Sequence, residues 1–271
     1  MDFKFNHEIT SDLLMKNMNI SCFCNCRLDS RWKAENARAN FTRIYFILGG
    51  YGELYVGGKT VPLTPYNIYI VPSGLDFGYY CPDYLEKIYV HLSVPTESRF
   101  DVFYGISDVA VFKNRRAQTE KILKFGKSSE QLSGFEAQAL ILSVILEGLR
   151  FFGITEPFSK IYSLLVKNAM DYVDSRLRSG LTVREIADCL FVSESKLNKV
   201  FKAETGSTPG QYIINRLLWE SENLLLNSEL SLSQISDKLG FCDQFYFSRI
   251  FSKHYGVSPK KYRKQAVGNA F

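Results

Sequence analysis

An internal repeat in the last third of the 271-residue chain constrains the fold most strongly. The segment LFVSESKLNKVF, from Leu190, matches LGFCDQFYFSRIF, from Leu239, with an offset of 49 residues before the turn and 50 after it. The pairs at an offset of 50 include Leu197/Phe247, Lys199/Arg249, Phe201/Phe251, Pro209/Pro259 and Tyr212/Tyr262. The repeat predicts two copies of one structural unit, and the second copy has one extra residue in its turn.

Each copy has the pattern of a helix-turn-helix unit, and we expect the units at 182–204 and 232–254. The second helix of each unit begins at a residue type that caps helices, Ser193 or Asp243. Apolar residues then recur at i, i+3 and i+4, which predicts one buried stripe per helix. These residues are Leu197, Val200 and Phe201 in the first copy and Phe247, Ile250 and Phe251 in the second.

The opposite face of each second helix carries polar side chains and cations that suit base edges and phosphates in a DNA major groove. The predicted DNA contacts are Ser193, Glu194, Ser195, Asn198, Lys199 and Lys202, and then Gln244, Phe245, Ser248, Arg249 and Lys253. A solvated helix face has a similar composition, but duplication of the whole unit favours DNA binding. The net charge of +5 also lies mainly in residues 161–271, which carry +4 of it.

Two of these residues allow alternative interpretations. Arg249 is either a reader of guanine or a phosphate anchor, and Phe245 is either a contact to a thymine methyl group or a core residue.

The region from Ile161 to Lys264 resembles the AraC/XylS family of bacterial transcription regulators. The family signature stands here as Gly240-Phe241, Tyr246-Phe247-Ser248-Arg249, Phe251, Gly256, Ser258-Pro259 and Tyr262-Arg263. The resemblance implies two helix-turn-helix units joined by a long helix over about 209–227, with second helices about one DNA turn, roughly 34 Å, apart. Phe191 departs from the pattern, because such units often have Gly before the turn, so the turn geometry of the first copy stays open.

The first half of the chain reads as strands. Between residues 41 and 94, short β-rich runs alternate with turn sequences such as GGYG, TPYN and PSG, at the spacing of an antiparallel barrel or sandwich. This pattern is similar to the cupin-like domain of the same family. We therefore predict an α+β multidomain protein: an N-terminal cupin-like β-barrel (1–115), a helical dimerisation segment (116–152), a linker (153–159) and a C-terminal all-α double helix-turn-helix domain (160–271).

The family resemblance implies that the barrel binds a small-molecule effector. Ten of the sixteen tyrosines lie in residues 1–110, and tyrosine offers both a flat apolar face and a hydroxyl group to a ring-shaped polar ligand such as a sugar. The candidate effector-binding residues are Arg43, Tyr45, Tyr89 and His91. Strand alternation puts Tyr89 and His91 on one face, although His91 could equally be a hydrogen-bonded core residue.

The stretch CFCNC supports an alternative function. On a strand, Cys22, Cys24 and Cys26 would share one face, where three thiolates could hold a soft metal or respond to oxidants. The thiols could instead be small apolar groups on the inner face of the barrel, and we favour this because structural zinc sites usually place cysteines at turns. A thiol- or metal-responsive regulator is thus the alternative to an effector-binding one.

Signals for catalysis are weak. The three histidines, His7, His91 and His254, are far apart in the sequence, which does not favour the facial metal site of a cupin metalloenzyme. The GGYG stretch reads as a hairpin turn rather than a phosphate-binding loop. We predict no enzyme, catalytic residue, metal or cofactor; an enzyme with a DNA-binding tail is the third alternative.

The apolar helical runs between residues 117 and 151 need burial. A homodimer contact is the use that the family resemblance implies, and packing within the monomer is the alternative. The predicted partners are double-stranded DNA, a small-molecule effector and a second copy of the chain, with RNA polymerase as a further candidate. The N-terminal residues do not resemble a signal peptide, and no uncharged apolar run of about eighteen residues is present, so we expect a cytoplasmic protein without a membrane contact. The choice between activation and repression stays open.

Overall fold

The computed structural model describes residues 18–96, 100–155, 162–255 and 257–268. Residues 156–159 of the predicted linker lie outside this part of the chain, as do His7 and Gly256 of the family signature.

The N-terminal half forms two antiparallel sheets. The first has the strand order β1-β8-β3-β6-β9 and the second β2-β7-β4-β5. The strands are β1 Asn19–Asp29, β2 Lys33–Ala37, β3 Thr42–Gly50, β4 Gly52–Val56, β5 Lys59–Leu63, β6 Ile68–Val71, β7 Phe77–Tyr80, β8 Tyr84–Ser93 and β9 Ala110–Phe112. Within residues 18–112, as far as they are described, hydrogen bonds join the strands into these two separate sheets, so the domain is cupin-like without being a closed barrel.

The central strands of the first sheet are buried on both faces. On β3, Ile44 and Phe46 point away from the second sheet, and Tyr45 and Ile47 point towards it. Because successive side chains on a strand alternate between faces, both sets must be apolar or partnered. This explains why the sequence TRIYFIL lacks the polar alternation of a half-exposed strand.

Two helices cover the outer face of the first sheet, α1 (Arg116–Lys127) and α2 (Gln131–Phe151). The buried side of α2 includes Ile141 and Ile145, and a Cβ atom added to Gly148 would lie 2.4 Å from Ile70 Cδ1. Packing within the monomer therefore accounts for one side of α2. By length and composition, α2 alone among the described helices could also cross a membrane, a test that core helices of soluble proteins pass as well.

The C-terminal part is helical, as predicted from the sequence. Its helices are α3 Leu164–Ser175, α4 Val183–Cys189, α5 Glu194–Thr205, α6 Pro209–Asn227, α7 Leu232–Lys238, α8 Gln244–Tyr255 and α9 Pro259–Gly268. Local capping fixes several starts: the side chains of Ser163 and Thr208 each accept a hydrogen bond from the first turn, and Thr182 and Ser231 each form a capping box. One hydrophobic cluster spans both helix-turn-helix units.

The turns of the two units begin with the same backbone geometry, although the first lacks the glycine and the second is one residue longer. Phe191 adopts a left-handed conformation with φ of 54°, and Gly240 adopts it with φ of 69°. The N–H group of the following residue bonds back to Ala187 in one copy and to Ser236 in the other, both at 3.0 Å. The repeat therefore keeps its turn at the cost of a strained backbone at Phe191, whose side chain is 95% exposed.

We expect Phe191→Gly to stabilise the folded chain by about 0.5–1 kcal/mol, because glycine relieves the left-handed strain but adds chain entropy to the unfolded state. Chemical denaturation measures this change. The reverse change at the equivalent position, Gly240→Ala, should destabilise the folded chain by about 1 kcal/mol. Alanine is strained in the left-handed conformation, and its Cβ would lie 3.2 Å from Arg178 Cβ. If Phe191→Gly is less stable than the wild type, the Phe191 ring contributes stabilising contacts despite its exposure, and the prediction is wrong.

Candidate DNA-binding surface and effector pocket

The second helix of each unit, α5 and α8, buries two of the three residues of its predicted apolar stripe, and the third, Val200 or Ile250, is half-buried. Leu197 and Phe201 of α5, and Phe247 and Phe251 of α8, are fully buried in the shared cluster. Ser193 caps α5 by accepting a hydrogen bond from the Lys196 N–H group at 3.2 Å. With the stripe buried, the other face of each helix must point outward.

Asp243 caps α8 with two hydrogen bonds, because its Oδ1 atom accepts from the N–H groups of Phe245 and Tyr246, both at 2.7 Å. The second of these bonds is the largest cause of a lowered pKa at Asp243, and the positive charge of Arg249 lowers it further. A fixed negative charge at this helix start favours α8, in keeping with the helix dipole.

Most of the predicted DNA contacts are exposed on these two faces. The exposed residues are Ser193, Glu194, Ser195, Lys199, Lys202, Gln244, Phe245, Arg249 and Lys253; Asn198 and Ser248 are half-buried. The two cations at equivalent positions, Lys199 and Arg249, are both exposed. Contact with DNA at these side chains stays a prediction.

Three side chains add detail to this surface. Phe245 is 71% exposed, which rules out the core alternative for its ring. The Asn198 amide donates a hydrogen bond to the Glu194 carbonyl at 2.9 Å, so one of its donors is engaged within α5. The Arg249 guanidinium lies 5.8 Å from the centre of the Tyr246 ring. The predicted DNA contacts did not include Lys196, an exposed cation on α5. Its spacing of three residues from Lys199 places both cations on neighbouring turns, and this spacing could have indicated it.

The four predicted effector-binding residues lie side by side between the two sheets. Arg43 pairs with His91 across β3 and β8, and Tyr45 pairs with Tyr89 in the same register. All four side chains share the inner face of the first sheet, since they lie two residues apart on each strand. The structure thus brings the set together, whereas its role in binding an effector stays a prediction.

Further residues on this inner face were not among the predicted pocket residues. Lys87 precedes Tyr89 by two residues, so the same alternation was the signal for it. Its Nζ atom lies 3.6 Å from the centre of the Tyr45 ring and 4.2 Å from that of Trp32. Trp32 stacks on Tyr79 of the second sheet at 4.3 Å between ring centres, which no local pattern indicates.

His91 is a half-buried residue on the inner face of the first sheet. Its ring stacks on Phe41 at 4.5 Å and lies 4.9 Å from the Tyr89 ring, measured between centres. Burial lowers the pKa of His91 well below its usual value, and the positive charges of Arg43 and Lys87 lower it further. The imidazole is therefore neutral near pH 7 and can either donate or accept a hydrogen bond.

The three cysteines of β1 share the inner face, as predicted, and lie half-buried against its apolar cluster. The Sγ atoms of Cys22 and Cys24 are 3.4 Å apart. Burial, together with the Cys24 side chain, raises the pKa of Cys22 to about 12, and burial also raises the pKa of Cys26. Protonated thiols are poor metal ligands and poor nucleophiles. Among the described residues, no three His, Cys, Asp or Glu side chains are placed so that they could hold a metal ion, and none of these observations supports the thiol or metal alternative.

The sheet domain, residues 18–112 as far as they are described, contacts the DNA-binding domain through a buried carboxyl group, that of Glu222 on α6. Glu222 Oε2 accepts a hydrogen bond from the Asn40 N–H group at 3.2 Å, and its carboxyl group also bonds the hydroxyls of Tyr255 and Tyr262. The Tyr255 hydroxyl in turn accepts from Asn40 Nδ2 at 2.8 Å. Burial raises the pKa of Glu222 to about 7, although the Tyr262 hydrogen bond and the charge of Arg43 oppose the shift.

A second segment of the sheet domain reaches the same helix. The Asn215 amide of α6 donates to the Tyr104 hydroxyl at 3.2 Å, and the ring of Phe100 packs edge-on against Tyr212 at 5.4 Å. Asp101, between these aromatics, accepts a hydrogen bond of 2.6 Å from Thr42, the neighbour of Arg43. Two segments of the sheet domain thus hold α6, and both connect to the strand that carries Arg43.

Comparison with known proteins agrees with this architecture. A family profile described as a helix-turn-helix domain matches residues 186–265. The Msm operon regulatory protein of Streptococcus mutans serotype c is 28% identical over 241 residues, which cover 83% of this chain and 85% of that protein. The lactose operon transcription activator of Staphylococcus xylosus is 25% identical over 239 residues, covering 81% and 82%.

A solved structure supports the fold over nearly the whole chain. ToxT from Vibrio cholerae, with a bound unsaturated fatty acid, aligns with a TM-score of 0.62 at 14% identity, over 92% of this chain and 97% of that one. This is a likeness of fold.

The duplicated helix-turn-helix units with exposed polar faces, the profile match and the relatives together define a DNA-binding transcription regulator. Its resemblance to the AraC/XylS family of such regulators is confirmed over the C-terminal third, where the helix-turn-helix profile matches residues 186–265. Its signature residues Gly240-Phe241 form the turn of the second unit, and Tyr246 to Arg249 lie on α8.

The buried carboxyl of Glu222 predicts a pH-dependent contribution to stability. Because its pKa is about 7 in the folded chain and about 4.5 when unfolded, the folded chain binds the proton more tightly. Its contribution is therefore complete below pH 4.5 and is lost as the pH rises through 7. We expect Glu222→Gln, which stays neutral, to flatten the decrease in thermal midpoint between pH 5 and 7.

Burial also raises the pKa of Asp101, to about 6, so Asp101 likewise lowers the thermal midpoint as the pH rises. The quantity to compare is therefore the difference in slope between Glu222→Gln and the wild type. Glu136→Gln, at an exposed position of α2, is the control and should leave the slope unchanged. Equal slopes for Glu222→Gln and the wild type would mean that the Glu222 carboxyl is already ionised at pH 5.

Proposed function

We propose that the chain is a cytoplasmic regulator that binds a small effector between its two sheets and binds DNA through α5 and α8. The observation that carries the DNA-binding part is the equivalent exposure of Lys199 and Arg249 on two helices whose opposite faces are buried in one core. The polar residues beside these cations would reach base edges, and the cations would reach bases or phosphates.

The proposed effector is sugar-like. Trp32 and Tyr79 stack on each other between the sheets, so their outer ring faces would meet a ligand, and Tyr45, Tyr89 and His91 offer groups that form hydrogen bonds. Flat apolar faces combined with a few polar groups are typical of pockets for ring-shaped polar ligands. One relative is named for the lactose operon, which agrees with this class of effector.

Coupling between the two halves would pass through the start of β3. Arg43 faces the proposed pocket, while Asn40, three residues earlier, bonds Glu222 and Tyr255 of the DNA-binding domain. A ligand that contacts Arg43 would shift this strand start or change the field at Glu222. The effect on DNA binding can be no larger than the difference in effector affinity between the two domain arrangements.

The dimerisation proposal rests on the outer side of α2. Leu132, Phe135, Ala139 and Leu142 follow one another at spacings of three, four and three residues, which is the spacing of a coiled-coil seam. Leu132 and Phe135 are 66% and 58% exposed, so this seam is not covered within the monomer. A second copy packed along it would bring two DNA-binding domains to repeated half-sites.

The remaining parts of the proposal rest on the family. Its members act as transcription regulators, and we propose no catalytic role for this chain. RNA polymerase is proposed as a partner because one relative is named a transcription activator.

Arg249 gives the test of DNA binding. Duplexes selected from a random library by the full chain should contain two conserved blocks about ten base pairs apart. On the selected site we expect Arg249→Ala to cost about 1–3 kcal/mol in binding and to relax the preference at one base pair. Titration of labelled duplexes that differ at single positions measures both effects.

Lys59→Ala, which removes one exposed positive charge from the sheet domain, is the control and should leave the affinity nearly unchanged. A uniform loss over all duplexes, with a smaller salt dependence, would assign Arg249 to a phosphate. Selection that returns no conserved block would contradict sequence-specific binding.

The double variant Leu132→Glu/Phe135→Glu tests the dimer. Charges buried in an apolar seam are costly, so we expect the dimer dissociation constant to rise at least about tenfold, which equals about 1.4 kcal/mol. Sedimentation velocity over a range of concentrations measures it. Lys121→Glu changes the net charge by the same amount at an exposed position of α1, outside the seam, and should leave association unchanged. A wild-type chain that stays monomeric at high concentration would refute the proposed contact.

A further inference from the structure

Two cations are buried between the sheets. Lys87 is 3% exposed and Arg43 is 9% exposed. Aromatic rings surround both: the Lys87 ammonium contacts the rings of Tyr45 and Trp32, and the Arg43 guanidinium lies 4.7 Å from the centre of the Phe41 ring and 5.1 Å from that of Phe77. These are the only charged side chains that the central strands direct into this space within the described residues.

Neither cation forms an ion pair with a described carboxylate. The groups that act electrostatically on Lys87 are the thiols of Cys26 and Cys81 and the like charge of Arg43. The Nη1 atom of Arg43 is buried without a hydrogen-bond partner. Glu222 lies within the field of Arg43, but its oxygens take hydrogen bonds from Asn40, Tyr255 and Tyr262 instead.

Such an interior is costly without a ligand. A buried cation loses its hydration, and rings compensate only part of that loss. Two like charges in one enclosed space add repulsion. Burial, the largest cause, lowers the pKa of Lys87 to about 7, as expected for an ammonium without a counter-charge.

We propose that the effector carries an anionic group, a carboxylate or a phosphate, which binds at Lys87 and Arg43 while the rest of the ligand stacks on Trp32 and Tyr79. This proposal rests on the proposed function and narrows its ligand class from sugars to sugar acids or sugar phosphates. Arg43 offers the planar donor pair that suits either group, and Lys87 adds a point charge. The ligand charge would also reach Glu222 through Arg43, on the path to the DNA-binding domain.

The unliganded chain of 271 residues provides the first test. Because Lys87 has no counter-charge there, we expect Lys87→Met to raise the thermal midpoint by about 2–4 °C at pH 7. Lys33→Met, the same substitution at an exposed position of β2, should not raise it. An unchanged or lowered midpoint for Lys87→Met means that the rings satisfy the ammonium within the chain, and this result overturns the proposal.

The second test uses matched ligands: glucose and galactose, their 6-phosphates, and glucuronate and galacturonate, each at 10 mM. We expect at least one anionic member to raise the wild-type midpoint, its neutral parent not to do so, and the shift to vanish in Lys87→Met but persist in Lys33→Met. The phosphate and carboxylate members distinguish the two anionic groups. A panel in which no anionic sugar shifts the wild-type midpoint counts against the proposal.

The two proposals fail in different ways. If a neutral sugar stabilises the wild type and Lys87→Met equally, the proposal of an effector site between the sheets is retained, and the proposal that the effector is anionic is wrong. If Tyr45→Phe and His91→Gln also leave that stabilisation unchanged, the sugar binds elsewhere and the proposed pocket falls as well.

Discussion

The long helix α6 is the element on which both functional surfaces depend. Tyr212, Leu218 and Leu225 of this helix lie in the core that the two helix-turn-helix units share. Phe201 of α5 packs against Tyr212 at 5.4 Å, and the Tyr255 hydroxyl of α8 lies 3.1 Å from the Leu218 carbonyl oxygen. A helix of 19 residues is about 28 Å long. Because α5 and α8 are both anchored to it, its length and rigidity set the distance between their two polar faces.

The face of α6 that contacts the sheet domain carries polar side chains. Asn215 and Glu222 are seven residues apart, so they share one face two turns apart, and each meets a different segment of the sheet domain. Buried hydrogen bonds of this kind add little net stability but specify one arrangement, since a shifted arrangement would leave polar groups unpaired. The interface is therefore selective rather than strong, which suits a contact that a ligand has to alter.

The parts of this architecture that rest on local rules could be predicted from the sequence. Capping residues and prolines fixed helix starts such as those at Ser193 and Thr208, and the two-residue period on β8 brought Tyr89 and His91 to one face. What depends on distant contacts could not be predicted. The separation into two sheets and the pairing of Glu222 with Asn40, 182 residues away, have no local signature. Phe191 shows the converse: the fold of the unit imposes a conformation that its own residue type disfavours.

The two faces of the first sheet differ in the buried polar and charged groups that they carry. This difference distinguishes the structural face from the face proposed to bind a ligand. The outer face is a continuous apolar contact with α1 and α2, in which Ile70, Ile145 and Gly148 interlock. The inner face carries two cations, a neutral histidine and three thiols in an apolar setting. A sheet selected only for stability would fill both faces with apolar side chains, because buried polar groups without partners are destabilising. The cost on the inner face is tolerable because α1 and α2 stabilise the same strands from outside, so the strands can keep Lys87 and Arg43 buried, as the proposed anion site requires.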